Sequence, residues 1–165
     1  MKLYVMRHGP AEEQADSGVD SDRSLTPTGR ERVRNVARAL RDSGEAPANL
    51  MTSPLVRAVQ TAEIVAVTTE LGKRQGQVEV RREFGLGASD AEVIVKRARD
   101  EGRKRLMVVG HEPDLTRLVS ILQQAPFSRP FDKSMVVSLH LKSSGAPATV
   151  RFVLDPKSLD FEWEP

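Results

Sequence analysis

The chain has 165 residues, enough for one domain with a full hydrophobic core, and its lack of cysteine excludes disulfides, thiolate metal sites and cysteine nucleophiles. The net charge is +2, and residues of both signs are interspersed along the chain. Aromatic residues make up only 4%, too few for a surface that stacks bases, so we do not expect a nucleic-acid-binding surface. No segment has the roughly 20 apolar residues of a membrane span, and the first residues lack a signal pattern. We therefore expect one cytoplasmic domain, residues 1–165, that binds neither nucleic acid nor membrane.

The first strand and helix are predicted from an apolar run and a helix-start signal. Residues 3–6 are all apolar, which is typical of a central strand of a parallel sheet. Thr26 is the predicted N-cap of a helix over about 28–42, and Thr28 and Glu31 are expected to form a capping box. The helix has apolar residues at helical spacing on one face, namely Val33, Val36, Ala37 and Leu40.

Strands and helices continue to alternate through the middle of the chain. A short strand is predicted at 49–52, and a second helix opens at 53–54. The alternating run at 77–82 indicates a strand nearer an edge, and Ser89 with Glu92 predicts a capping box for a third helix. The predicted buried stripe of the second helix comprises Leu55, Ala58, Val59, Ala62, Val65 and Ala66.

In the last third of the chain, one more strand and helix are followed by two consecutive strand-like runs without a helix between them. A strand is predicted at 105–109 and a fourth helix from 112–113, followed by strand-like runs at 135–141 and 149–154 that are joined through 143–145. This order predicts an α/β fold, a three-layer α/β/α sandwich with a mostly parallel central sheet and an antiparallel C-terminal element.

Four basic side chains are predicted to meet at one edge of this sheet. Arg7 and His8 end the first strand, His111 ends the strand at 105–109, and Arg57 falls in the first turn of the second helix. Open parallel sheets bind ligands at the carboxyl ends of their strands. Because two guanidiniums and two imidazoles repel one another when empty, we expect them to surround an anion, and a phosphoryl group fits the guanidinium geometry.

The candidate chemistry is covalent transfer of a phosphoryl group. The sequence has neither carboxylates at metal-ligand spacing nor a Gly-rich Walker loop, so no metal or other cofactor is expected. His8 is the predicted nucleophile, kept neutral by the neighbouring arginines, while Arg7, Arg57 and His111 hold the phosphoryl oxygens. Activity is expected to fall on the acid side as the attacking imidazole takes up a proton.

Four motifs in order resemble the histidine phosphatase superfamily, whose fold is phosphoglycerate mutase-like. The motifs are MRHG at 6–9, LTPTG at 25–29, TSPLVRAVQTA at 52–62 and VGHEP at 109–113. They extend the resemblance over roughly residues 1–155, and the short chain looks like the SixA-type phosphohistidine phosphatases. The resemblance implies a phosphatase whose nucleophile matches His8 and whose other phosphate-pocket residues match Arg7, Arg57 and His111.

The residue that protonates the leaving group in the family has no clear counterpart in this sequence. Larger members carry a glutamate acid and a long insertion before the last motif, and only Glu83 falls where that acid is expected. Its surroundings, REFGLG at 82–87, lack the family's fuller acid motif. A short chain with an open pocket suits a protein substrate, and the imidazole leaving group of phosphohistidine needs less acid help than an alkoxide.

The preferred substrate is therefore a phosphorylated histidine of a phosphorelay protein, including a histidine phosphotransfer domain. The alternatives are a small-molecule or phosphoserine/phosphothreonine phosphatase and a non-catalytic phosphoprotein-binding module. Three further residues have less specific predictions: His140 is expected on the surface, Glu112 as a helix N-cap rather than an acid, and Arg23 in an ion pair with nearby acids of its loop. The oligomeric state is not predicted.

Overall fold

The computed structural model describes residues 1–142 and 145–164. The predicted connection through Ser143 and Ser144 and the last residue of the expected domain lie outside these ranges. The strands are β1 (Lys2–Arg7), β2 (Asn49–Thr52), β3 (Val78–Val80), β4 (Arg105–Gly110), β5 (Val136–His140), β6 (Thr149–Leu154) and β7 (Phe161–Trp163). The helices are α1 (Pro27–Asp42), α2 (Val56–Thr68), α3 (Ala91–Asp100) and α4 (Asp114–Gln123), with short 3-10 helices at Asp20–Asp22, Leu71–Arg74 and Arg82–Phe84.

The seven strands form one sheet in the order β3-β2-β4-β1-β5-β6-β7. The first four strands of this order run parallel, and β5, β6 and β7 add antiparallel pairings at the β1 side. The predicted parallel sheet with an antiparallel C-terminal element is therefore confirmed, although the antiparallel part contains one more strand, β7, than predicted.

Helices cover both faces of the sheet and give the predicted three layers. Apolar residues of α1 and α2 pack on one face, among them Val36 and Ala62, in a cluster that includes Tyr4 of β1. On the other face α3 and α4 pack with Leu3 and Val5 of β1. Because successive residues of β1 point to opposite faces, one apolar strand fills both layers.

At the helix starts the predicted N-cap of α1 is confirmed, but both predicted capping boxes are wrong. Thr26 is the N-cap of α1, and its hydroxyl accepts a hydrogen bond from Gly29 N at 3.0 Å. The predicted capping box of Thr28 was wrong, because the helix begins at Pro27 and Thr28 already lies inside it. The box predicted at Ser89 was also wrong, since Asp90 is the N-cap of α3 and its side chain makes no capping hydrogen bond.

The buried stripe of α2 is narrower than predicted. Ala58, Ala62 and Val65 are buried, whereas Leu55, Val59 and Ala66 are only half-buried. The helix begins at Val56, later than the predicted start, and ends at Thr68. Among residues 1–142 and 145–164, no helix is both long and apolar enough to cross a membrane.

Candidate active site

The parallel register brings three chain segments to the same edge of the sheet. Arg7 at the end of β1 lies opposite Gly110 of β4, and Thr52 at the end of β2 lies opposite Val109. His8, Ser53 and His111 each follow directly after these strand ends. The edge predicted to bind the ligand therefore combines residues that lie more than 100 positions apart in sequence.

A close approach of two backbones fixes the turn after His8. A Cβ atom at Gly9 would lie 2.6 Å from Val33 Cγ2 of α1, and one at Gly29 would lie 2.0 Å from the carbonyl oxygen of Pro10. A side chain at Gly9 would require Val33 to move, and one at Gly29 would require the backbone to shift. Gly9 N also donates to Thr61 Oγ1 at 3.1 Å, which ties this turn to α2. The start of α1 and the middle of α2 thus hold the loop that carries His8.

The two imidazoles lie side by side at this edge. The ring centroids of His8 and His111 are 5.0 Å apart with a 52° angle between the ring planes. His8 is 5% exposed and His111 is 2% exposed. Two polar rings this deeply buried need either hydrogen-bond partners or a ligand.

Within the described residues, one ring nitrogen of His8 has a hydrogen-bond partner and the other has none. Its Nδ1 lies 2.7 Å from the carbonyl oxygen of Gly9, so Nδ1 carries the proton and donates. Burial is the main cause that lowers the pKa of His8 from 6.5 to about 3, and the charges of His111, Arg57 and Arg7 also lower it. The imidazole is therefore neutral at pH 7, and its Nε2 keeps a lone pair that can attack an electrophile.

His111 is oriented by a serine from the neighbouring strand end. Its Nε2 lies 2.8 Å from Ser53 Oγ, and Ser53 is fully buried. Burial, and next the charge of Arg57, lower the pKa of His111 to about 4. Its buried Nδ1 has no hydrogen-bond partner within the described residues.

Arg7 is held from the loop before β5. Its Nη1 donates to the carbonyl oxygen of Phe131 at 2.6 Å. The amide of Phe131 in turn donates to Glu112 Oε1 at 2.6 Å, and Thr116 Oγ1 donates to the same carboxylate oxygen at 2.8 Å. Glu112 therefore fixes the position of Phe131 and, through it, one nitrogen of the Arg7 guanidinium.

Arg57, in the first turn of α2, is bound to the polar loop that precedes α1. Its Nη2 donates to Asp20 Oδ2 at 3.0 Å and its Nη1 donates to the Asp20 carbonyl oxygen at 2.8 Å. Arg23 Nη1 donates to the other carboxylate oxygen of Asp20 at 2.9 Å, as expected for an ion pair within its loop. The charge of Arg23 also contributes to lowering the pKa of His111.

Several buried nitrogens of this cluster lack partners. Arg7 Nε, Arg23 Nε, Arg57 Nε and His111 Nδ1 are buried without a hydrogen bond in the part of the chain that the structure describes. An unpaired buried donor costs about 1–3 kcal/mol, and guanidinium N–H groups are well suited to bind an oxygen-rich anion. Within residues 1–142 and 145–164, no group of three or more histidine or carboxylate side chains is placed to hold a metal ion.

The remaining candidates lie in less specific surroundings. Glu83 lies in the 3-10 helix after β3, and its carboxylate forms a long ion pair with Arg81 Nε at 4.0 Å. His140 is exposed at the end of β5, as predicted. The prediction of Glu112 as the N-cap of α4 was wrong, because the N-cap is Pro113. The Glu112 carboxylate nevertheless accepts a hydrogen bond from Thr116 N at 3.4 Å.

Sequence reasoning missed two side chains that contact this cluster. Ser53 could have been identified, because it follows β2 at the same edge as His8 and His111. Asp20 could not, because its contact with Arg57 spans 37 positions between a loop and a helix and leaves no periodic signal.

Two buried imidazoles and three arginines with unpaired nitrogens at the carboxyl edge of an α/β sandwich are the arrangement expected of a site that binds a phosphoryl group. The model of the histidine phosphatase superfamily (branch 1) matches residues 3–88, and the chain belongs to this family. The matched range contains Arg7, His8, Arg57 and Glu83, whereas His111 lies beyond it. As a member of this superfamily the chain is a phosphatase.

Similar proteins extend the comparison over the whole chain. An uncharacterized protein of Picosynechococcus is 41% identical over 116 residues, which are 70% of this chain and 68% of that protein. The phosphohistidine phosphatase SixA of Escherichia coli is 29% identical over 151 residues, 88% of each chain. A solved structure of the protein histidine phosphatase SixA complexed with tungstate has a TM-score of 0.88 and 28% identity, and the match covers 97% of this chain and all of that one.

Proposed function

We propose that the chain removes phosphate from phosphohistidine of a signalling protein, through a covalent phosphohistidine intermediate on His8 and without a metal. The observation that carries the proposal is the neutral His8, whose Nδ1 proton is held by Gly9 while Nε2 stays available beside unpaired nitrogens of Arg7 and Arg57. The named relatives that support the substrate class are the SixA phosphatases. Tungstate, like phosphate, is a tetrahedral oxyanion.

The first step transfers the phosphoryl group to His8. The Nε2 lone pair forms a bond to phosphorus while the bond to the leaving nitrogen breaks, and the leaving nitrogen keeps that electron pair. When the second ring nitrogen of the substrate carries a proton, the leaving group departs as a neutral imidazole. Arg7, Arg57 and His111 stabilise the charge on the phosphoryl oxygens during this step.

The second step returns the enzyme to its starting state. Water attacks phosphorus, the bond to His8 Nε2 breaks with its electron pair on the nitrogen, and inorganic phosphate leaves with the protons of the water. Glu83 is the proposed proton donor for substrates whose leaving group is an alkoxide. We also propose that the chain acts as one catalytic domain, since residues from four separate segments contribute to one site.

The experiment compares substrate classes on the same enzyme. The value of kcat/KM for a phosphohistidine phosphotransfer protein should exceed that for phosphoserine peptides, sugar phosphates and aryl phosphates. The reverse order would favour the second candidate, a phosphomonoesterase of the same superfamily. Binding of phosphate without turnover on any of these substrates would contradict the proposal and favour a phosphoprotein-binding module.

A further inference from the structure

A carboxylate of the chain already binds one of the arginines of the site. Asp20 accepts hydrogen bonds from both terminal nitrogens of Arg57, one through its side chain and one through its carbonyl oxygen. The Arg57 side chain is 4% exposed and that of Asp20 is 55% exposed. The carboxylate therefore covers a buried guanidinium from the solvent side.

The negative charge of Asp20 also acts on Arg23 and His111. Arg23 binds its second carboxylate oxygen, and the charge of Asp20 raises the pKa of His111 against the lowering by burial and by the arginines. The hydrogen bond from Arg57 lowers the pKa of Asp20 itself, so the carboxylate is ionised at neutral pH. Asp20 occupies one N–H group on each terminal nitrogen of Arg57, and a phosphoryl group that binds Arg57 through the same N–H groups displaces Asp20 and then lies beside it.

We infer that Asp20 is a specificity-determining residue, which competes with the phosphoryl group for Arg57 and disfavours substrates whose leaving group is not cationic. This inference deepens the proposed function and rests on it. A displaced carboxylate at the pocket mouth repels an anionic leaving group and attracts a protonated imidazole. It thus favours the protonated form of phosphohistidine, the form that departs as a neutral imidazole without an acid from the enzyme.

Asp22 provides a matched control two residues away. It belongs to the same 3-10 helix, is exposed, and accepts hydrogen bonds from Ser17 and Ser21. Asp22→Asn removes the same charge from the same loop as Asp20→Asn does. Because Asp20 is more than half exposed, neither substitution removes a buried side chain from the core.

The test uses two small phosphoryl donors, N-phosphoimidazole and phenyl phosphate, so that no protein contact contributes. Asp20→Asn should reduce the ratio of kcat/KM for phosphoimidazole to that for phenyl phosphate by about fivefold, the effect expected of one exposed charge. Asp22→Asn should leave the ratio unchanged. An unchanged ratio in Asp20→Asn, or an equal reduction in both variants, would overturn the inference.

A binding measurement separates this inference from the proposed function. In calorimetric titration, Asp20→Asn should bind inorganic phosphate about fivefold more tightly than wild type, because the competing carboxylate is gone. No tightening would overturn the inference even if the wild type prefers phosphohistidine. A wild type that prefers phenyl phosphate would contradict the proposed function, whereas the phosphate titration would still decide the competition of Asp20 for Arg57.

Discussion

The ring centroids of His8 and His111 lie 5.0 Å apart although the residues are separated by more than 100 positions in sequence. Both rings are buried, and the positive charges of Arg7 and Arg57 act on each of them. Protonation of either ring would add another positive charge to this cluster. The neutral imidazole is therefore the resting state at each position, and the pH dependence of the enzyme follows from it.

The acid limb of the activity profile should lie far below the ordinary titration of histidine. Because burial lowers the pKa of His8 to about 3 and that of His111 to about 4, kcat/KM should stay level down to about pH 5 and fall below about pH 4. The measurement is a pH profile corrected for the ionisation of the substrate itself. An acid limb centred near 6.5 would mean that His8 is an ordinary, solvated imidazole.

Folding stability should also fall as the pH is lowered. His8 has a pKa of about 3 in the folded chain and about 6.5 when unfolded, so the unfolded chain binds more protons between these values. The free energy of unfolding should therefore decrease as pH falls through this window, by up to about 1.4 kcal/mol per pH unit. Urea titrations at pH 7 and 4.5 measure this loss.

A pair of histidine variants isolates the source of this dependence. His8→Asn should lose less stability than wild type between the two pH values, by about 2.5 kcal/mol, because one buried titrating ring is gone. His140→Asn should retain nearly the wild-type dependence, since His140 is exposed on β5. Equal slopes for wild type and His8→Asn would contradict the folded-state pKa of His8.

Removal of the Ser53 hydroxyl should affect catalysis more than folding. Ser53 Oγ is 2.8 Å from His111 Nε2 and fixes the orientation of that ring. Loss of one such bond is worth about 1 kcal/mol, so Ser53→Ala should lower kcat by about fivefold. Ser120→Ala is the control, because it removes a partly buried hydroxyl of α4 that bonds Thr116 O and Phe127 N. A similar fall in kcat in both variants would point to general destabilisation.

Glu112 can be tested as a positioning residue against a role as an acid. Its carboxylate fixes Phe131, whose carbonyl oxygen binds Arg7. Glu112→Gln keeps an acceptor oxygen for Phe131 N and should retain at least about a third of wild-type kcat, whereas Glu112→Ala should raise KM about fivefold. Thr116→Val removes the other partner of the same oxygen and should have a smaller effect on KM. A loss of kcat in Glu112→Gln without a change in KM would indicate proton transfer by Glu112.

The elements that were predicted are those with a local pattern. The apolar β1, the N-cap Thr26 and the buried face of α1 are each specified by residues within a few positions of one another. Strand β7 was missed because its three residues are too few for a periodic signal. It is stabilised by tertiary contacts, with the Trp163 ring 4.7 Å and the Phe161 ring 5.0 Å from that of Phe152.

In the candidate site, too, the residues with a simple sequence signal were predicted and those brought in by loops were not. His8, Arg57 and His111 could be placed at one edge from the order of the strands, because parallel strands end on the same side of a sheet. The contacts of Asp20 with Arg57 and of Phe131 with Arg7 depend on how two loops fold back over that edge. No pattern of residue spacing predicts how these loops fold, so the contacts of Asp20 and Phe131 could be identified only from the structure.

The most direct test of the account is a phosphoenzyme trap. Wild type, His8→Asn and His111→Asn are mixed with a radiolabelled phosphohistidine protein and quenched within one turnover. The account predicts label on His8 of the wild type, stable in base and labile in acid, a slower but present label in His111→Asn, and none in His8→Asn. Label on His8→Asn equal to that on the wild type would contradict it.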